Sequence, residues 1–229
     1  MLKIRCSQIG KIMPNSRTKG ELSKTCKSYL EALAIENMYG YSKDIWSKAI
    51  DKGIAVEDQS IQLAQEVLDM GEMTKNEEFF ENEFLTGTPD VLNEGFVLDV
   101  KSSFDATTYH WFTKEIPNKE YYYQLMGYMA LTGRKISYLA YCLVDTPEDI
   151  VEDEVRRVHY KLKEIDENPI VRATVERQHS FERVPAEYRV KTFKIEYDQE
   201  VVDEIYQRVE ECREYYESLL HEEFKTVAV

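Results

Sequence analysis

The sequence predicts an α/β sandwich, a central sheet with helices on its faces. Three observations carry this. Runs rich in β-branched and aromatic residues lie mid-chain, at 83–85, 97–101 and 136–144, and return at 191–197. Stretches with apolar residues at helical spacing flank them on both sides. With 229 residues, 43% of them apolar, the chain is long enough to bury a sizeable core.

In chain order, the first helix is expected over 23–39. Ser23 can cap its start, Leu30 and Leu33 give it an apolar face, and Gly40 can close it. A second helix is expected over 53–70, stopped by Gly71. Strands at 83–85 and 97–101 follow, with a turn signal at Asn93-Glu94-Gly95 between them. A helix over 119–131 ends at Gly133, and 136–144 reads as a buried strand. The stretch from Pro147 into Arg156-Arg157 reads as helix. Residues 191–197 read as strand, and 198–224 as a long last helix with Val201, Ile205, Val209, Cys212 and Leu219 at helical intervals. Core packing is the plain use of that stripe; subunit contact is the other. There is no repeat, no low-complexity segment and no long Pro/Gly/Ser linker. One domain over 1–229 is therefore expected, with the C-terminal strand and helix, about 190–225, packed on the core.

Composition excludes several classes. No run of about 18 apolar residues exists, and Met1-Leu2-Lys3-Ile4-Arg5-Cys6 is not the apolar stretch of a signal peptide, so a cytosolic protein is expected. Cys6, Cys26, Cys142 and Cys212 are scattered, which suits free thiols rather than a disulfide framework or a compact zinc site. No Gly-x-Ser-x-Gly elbow is present, and His110, His159, His179 and His221 lack zinc-ligand spacing. The net charge of -14 argues against a protein that coats DNA non-specifically. It leaves room for acidic metal ligands in a locally basic groove.

The chemistry lies in Thr88-Pro89-Asp90 and Asp99-Val100-Lys101. Alternate residues of a strand share a face, so Asp99 and Lys101 point one way while Leu98 and Val100 face the other layer. A hairpin closed near Glu94 sets residue 90 opposite residue 98, give or take one. Two carboxylates brought together this way repel, and a hard divalent cation relieves the conflict. An exposed hairpin with ordinary surface acids fits this segment as well. In the second helix Ile54, Ile61, Ala64 and Leu68 cluster, with Glu57 amid them. Either a cation meets that carboxylate, or it merely favours the start of a helix. Gln124 and Tyr128, four apart, share one helix face within an aromatic stretch that would also serve as core.

In this order, Glu57, Pro89-Asp90, Asp99-Val100-Lys101 and Gln124-x-x-x-Tyr128 resemble the PD-(D/E)XK nucleases, and the last element resembles their RecB-like branch. Within it the chain is most similar to the phage lambda-exonuclease (YqaJ-like) recombination nucleases, from Cys6-Ser7-Gln8-Ile9-Gly10-Lys11-Ile12 through Leu131-Thr132-Gly133. The resemblance implies a restriction-endonuclease-like core, a central mixed β-sheet flanked by helices. It implies that Asp90, Asp99, the Val100 carbonyl and Glu57 bind Mg²⁺ or Mn²⁺, and that Lys101 positions and helps deprotonate the attacking water. Gln124 and Tyr128 would steady the site. Ser7, Arg17 and Thr88 fall where family members contact DNA phosphates, with Lys19 nearby. Members of the lambda type carry more sequence before Ser7, including an arginine for the 5'-phosphate; here Lys3 and Arg5 are the nearest basic residues.

The expected activity is 5'-to-3' digestion of double-stranded DNA ends, leaving 3' overhangs, by a trimeric ring that works with a single-strand annealing protein and no membrane. With positive neighbours, Lys101 is expected to have a depressed pKa and catalysis an alkaline optimum. Alternatives on the same fold are a single-strand or structure-specific endonuclease and, further off, an inactive interaction module. An iron–sulfur relative is disfavoured by the spread of the cysteines.

Overall fold

The structure is a computed structural model and describes residues 1–40, 47–163, 166 and 168–224. Residue 225, where the expected C-terminal segment of about 190–225 ends, lies outside them. The elements run β1 (Ile4–Arg5), α1 (Ile9–Ile12), α2 (Lys24–Tyr39), α3 (Lys48–Ala55), α4 (Glu57–Leu68), β2 (Phe80–Glu81), β3 (Leu85–Gly87), β4 (Val91–Leu92), β5 (Val97–Ser102), α5 (Lys119–Thr132), β6 (Ile136–Cys142), α6 (Glu148–Leu162), α7 (Pro169–His179), β7 (Val190–Glu196) and α8 (Gln199–Phe224).

The larger sheet has the order β4-β5-β6-β7. Its centre is the parallel pair β5–β6, with antiparallel strands on either side, so the sheet is mixed, as expected. Alternation along β5 and β6 divides two cores. Val97, Leu139, Tyr141 and Leu143 pack with α5 (Leu125, Met126, Met129), the N-terminal segment and α8. Leu98, Val100, Ala140 and Cys142 pack on the other face with Ile61, Leu63 and Ala64 of α4. The small sheet, β1-β3-β2, adjoins the first core through Ile4 and Leu85.

Local chemistry explains most boundaries. Ser23 accepts a hydrogen bond from the Cys26 N–H at 3.2 Å, and Gly40 closes α2 with φ 62°. Asn118 caps α5, which Gly133 ends at φ 72°. Three expectations need correction. The helix expected over 53–70 is two helices, broken at Val56 (φ -115°, ψ 15°) and ended by Asp69 in the left-handed region. The break rotates α3, so Ile54 is 71% exposed while Lys52 and Val56 turn inward. The strand expected at 83–85 begins only at Leu85, because Asn82 Oδ1 accepts the N–H groups of Phe84 and Leu85 and makes a turn there. In α8 it is Val202 that is buried beside Ile205, Val209 and Cys212, with Val201 only half-buried. All four cysteines are free and buried. Among the described residues no helix is long and apolar enough to cross a membrane.

Candidate active site

The site begins with strand register. Val91 pairs with Leu98 in the β4–β5 hairpin, so the residue before Val91 faces the one after Leu98. Asp90 is thereby set against the Asp99–Val100 stretch, and the Val100 N–H donates to Asp90 Oδ2 at 2.8 Å. A residue in a strand turns its N–H and C=O to the same edge, so the Val100 carbonyl faces the edge that carries Asp90. Asp90 is also clamped from behind. Its carbonyl accepts the Asn76 N–H at 2.8 Å, and Asn76 Nδ2 donates to the Pro89 carbonyl at 3.0 Å.

Asp99 is fully buried. Gln124 Nε2, from α5, donates to Asp99 Oδ1 at 2.9 Å and also reaches the Tyr128 hydroxyl at 3.1 Å. Tyr128 fits because Gly87 of β3 has no side chain: a Cβ there would lie 2.7 Å from the Tyr128 ring. Asp99 Oδ2 is in ion-pair contact with the Lys101 ammonium, 2.5 Å away. Lys101 in turn sits 5.0 Å from the centroid of the Tyr121 ring.

Burial dominates the electrostatics. It raises Asp90 to about 8, with the Asp99 charge adding to the effect. Burial likewise raises Asp99. Burial alone would lower Lys101, but the Asp99 and Asp90 charges outweigh it and hold the ammonium above its usual range. The depressed value expected for Lys101 is therefore not found here, because its neighbours are two carboxylates. Two acids crowded together out of water suit a hard divalent cation.

Glu57 lines the same cleft, of about 430 Å³, with Asp90, Val100, Lys101 and Tyr121. As the first residue of α4 it occupies the helix start rather than an apolar face, and its Oε1 lies 3.0 Å from Lys75 Nζ. Among the described residues no three His, Cys, Asp or Glu side chains stand close enough together to hold an ion. Of the three acids expected to converge, the structure brings Asp90 and Asp99 together and leaves Glu57 at the rim. Ser7, Arg17, Lys19 and Thr88 are all exposed, and none lines the cleft. Lys3 and Arg5 are ion-paired with Glu81 and Glu36. His110 packs edge-on against Tyr141.

Three neighbours of the site escaped the sequence reading. Tyr121 lies three residues before Gln124, a helical spacing that could have revealed it. Lys52 is fully buried and donates to the Ser103 and Phe104 carbonyls at 2.8 and 3.0 Å, fixing the chain just past Lys101. Its signal was a lysine among Ala49, Gly53 and Val56 at helical spacing. Lys75 gave no signal, since nothing local ties it to Glu57. A second cavity, of about 440 Å³, uses the loop after Ser103 and is lined by Trp111, Arg177, Phe181 and Arg183; its single carboxylate, Asp105, is bound by Thr107 and Thr108.

An acidic pair and a lysine on a β-hairpin and its central strand, braced by a Gln-x-x-x-Tyr helix, form the arrangement that the resemblance to PD-(D/E)XK nucleases implies. A phage-related exonuclease from Haemophilus somnus 129PT superposes with a TM-score of 0.80 at 28% identity, over 96% of each chain. The alkaline exonuclease LHK-Exo from Laribacter hongkongensis gives 0.68 at 16% identity, over 99% of this chain and 93% of its own. The same enzyme in complex with dAMP gives 0.63 at 18% identity, over 98% and 94%. No family model and no curated protein matches the chain. In motif and in fold the chain resembles the lambda-exonuclease-like, YqaJ-like PD-(D/E)XK nucleases.

Proposed function

We propose that this protein is a DNA exonuclease that hydrolyses phosphodiester bonds at duplex ends with the help of Mg²⁺ or Mn²⁺. The observation that carries the reading is the close approach of half-buried Asp90 and fully buried Asp99, with Lys101 ion-paired to Asp99. Asp90, Asp99 and the Val100 carbonyl would hold the ion, with Glu57 joining from the rim. When bound, the ion supplies Lewis acidity toward the scissile phosphate and its leaving oxygen. Gln124 fixes the rotamer of Asp99, and Tyr128 fixes Gln124. Lys101 orients the attacking water through its Nζ. Once the two carboxylate charges are neutralised, the attraction that keeps Lys101 protonated is gone and burial alone acts on it, lowering its pKa. Lys101 can then accept the proton of the water, and activity rises with pH.

Both exonuclease neighbours support end-directed digestion, and the dAMP complex of one of them is of the mononucleotide size that such digestion releases. The direction proposed is 5'-to-3', leaving 3' overhangs that a single-strand annealing protein could take up. A trimeric ring would let a chain of net charge -14 stay on DNA by enclosing it rather than by attraction. The test is digestion of linear and circular duplexes labelled at either end, with Mg²⁺ or EDTA, by wild type and Asp99→Ala. The expected result is release of 5'-terminal label from the linear substrate with Mg²⁺ only, and none by the variant. Cutting of the circle would replace this reading with an endonuclease, and full activity of Asp99→Ala would remove the site from the chemistry.

A further inference from the structure

The third acid of the site is already occupied. Lys75 Nζ lies 3.0 Å from Glu57 Oε1 and 3.6 Å from Asp58 Oδ1. The backbone of Lys75 is not free to wander. It forms an antiparallel bridge with Val91, and the next residue, Asn76, hydrogen-bonds to the carbonyls of Asp90 and Pro89. The root of the lysine is thus pinned to the strand that presents Asp90, and only its four-carbon arm moves. Glu57 is equally well placed to turn. It is the first residue of α4, its side chain is 28% exposed, and it faces the cleft shared with Asp90 and Lys101.

We propose that Lys75 is a built-in stand-in for the divalent ion: its ammonium holds Glu57 at the rim, and it lets go, stepping onto Asp58, as the ion enters. This rests on the metal-dependent reading above and accounts for why two acids converge while the third does not. An ion binding Asp90 and Asp99 gains Glu57 only by breaking the contact with Lys75, so the lysine weakens metal binding. Lys75 is 46% exposed, so water screens the pair; contacts of this kind shift an equilibrium by about 1.5- to 5-fold. The latch therefore tunes affinity without blocking it.

The test is Mn²⁺ titration of the full chain by calorimetry at low salt. Lys75→Met should bind Mn²⁺ about 2- to 5-fold more tightly than wild type, and Lys75→Arg, which keeps the charge, should match wild type. A cycle with Glu57→Gln separates the latch from a mere field effect. In that background Lys75→Met should change nothing. Unchanged or weaker Mn²⁺ binding by Lys75→Met overturns the latch, and so does an equal gain with Glu57→Gln present. Asp99→Asn tells the two failures apart: wild-type Mn²⁺ affinity in that variant sinks the metal reading itself, whatever Lys75 does.

Discussion

The floor and the rim of the cleft are built differently. Asp90, Asp99 and Lys101 stand on the β4–β5 hairpin, where ladder register sets them side by side, a backbone hydrogen bond holds Asp90 and the Gln124–Tyr128 brace holds Asp99. Glu57 stands at a helix start, half-exposed, on a residue whose neighbour Val56 already departs from helical geometry. A sheet sets charges against one another and keeps them there. A helix terminus presents a charge that can change partner. The site therefore combines a crowded acidic pair set by the sheet with one carboxylate at a helix start, held by Lys75.

The largest effect should come from removing charge at the floor. Asp90→Asn should reduce nuclease activity by about 10³-fold or more, on the scale of losing an electrostatic centre of catalysis. The same change should raise the melting temperature of the metal-free protein at pH 8, since the asparagine can still accept the Val100 N–H and is never charged. A lower melting temperature in calorimetry would mean that the Asp90 carboxylate is not under strain.

Next is the brace. Gln124→Met removes the donor to Asp99 and should lower activity or metal affinity by about 10- to 100-fold, measured in Mg²⁺ titrations of the rate. A loss under twofold would show that strand register alone holds Asp99.

The acidic pair also gives stability a pH dependence. An ordinary Asp carboxyl titrates near 3.8, whereas burial raises Asp90 to about 8 in the fold. The folded state thus favours the proton. Its contribution is whole below about pH 4 and fades as pH climbs to 8. Without metal, thermal melts should show lower stability at pH 8 than at pH 5. Mg²⁺ should raise the melting temperature far more at pH 8 than at pH 5, and equal gains at both would contradict the crowding.

The smallest effect is expected on the surface. Arg17→Ala or Lys19→Ala should weaken DNA binding uniformly across sequences and reduce the salt slope of log K by about 1 if each meets a phosphate. An unchanged slope in fluorescence binding assays would assign them to solvent.

The same division explains how much was legible beforehand. The floor could be read to within one residue, because period-2 alternation and the turn at Asn93 set Asp90 near Asp99, while the resemblance decided between a metal pair and ordinary surface acids. The spacing of four put Gln124 and Tyr128 on one helix face, and only the resemblance gave that face a role at the site. The rim could not. The break at Val56 lies inside an unbroken apolar periodicity, and it moved Ile54 out to solvent and Lys52 in. The Glu57–Lys75 pair joins residues 18 positions apart across a loop, which no local spacing encodes. Between β6 and β7, α7 begins at Pro169, capped by the Asn168 side chain, and with α6 it closes a small core of Val151, Val155 and Val175. Only the first half of that excursion carried a helix signal.

The most direct measurement is an anomalous difference map from crystals grown with Mn²⁺. A peak about 2 Å from carboxylate oxygens of Asp90 and Asp99 and from the Val100 carbonyl, with Glu57 turned away from Lys75, is the predicted result. An empty Asp90–Asp99 pair in crystals that hold Mn²⁺ elsewhere, with the nuclease fully active, would contradict it.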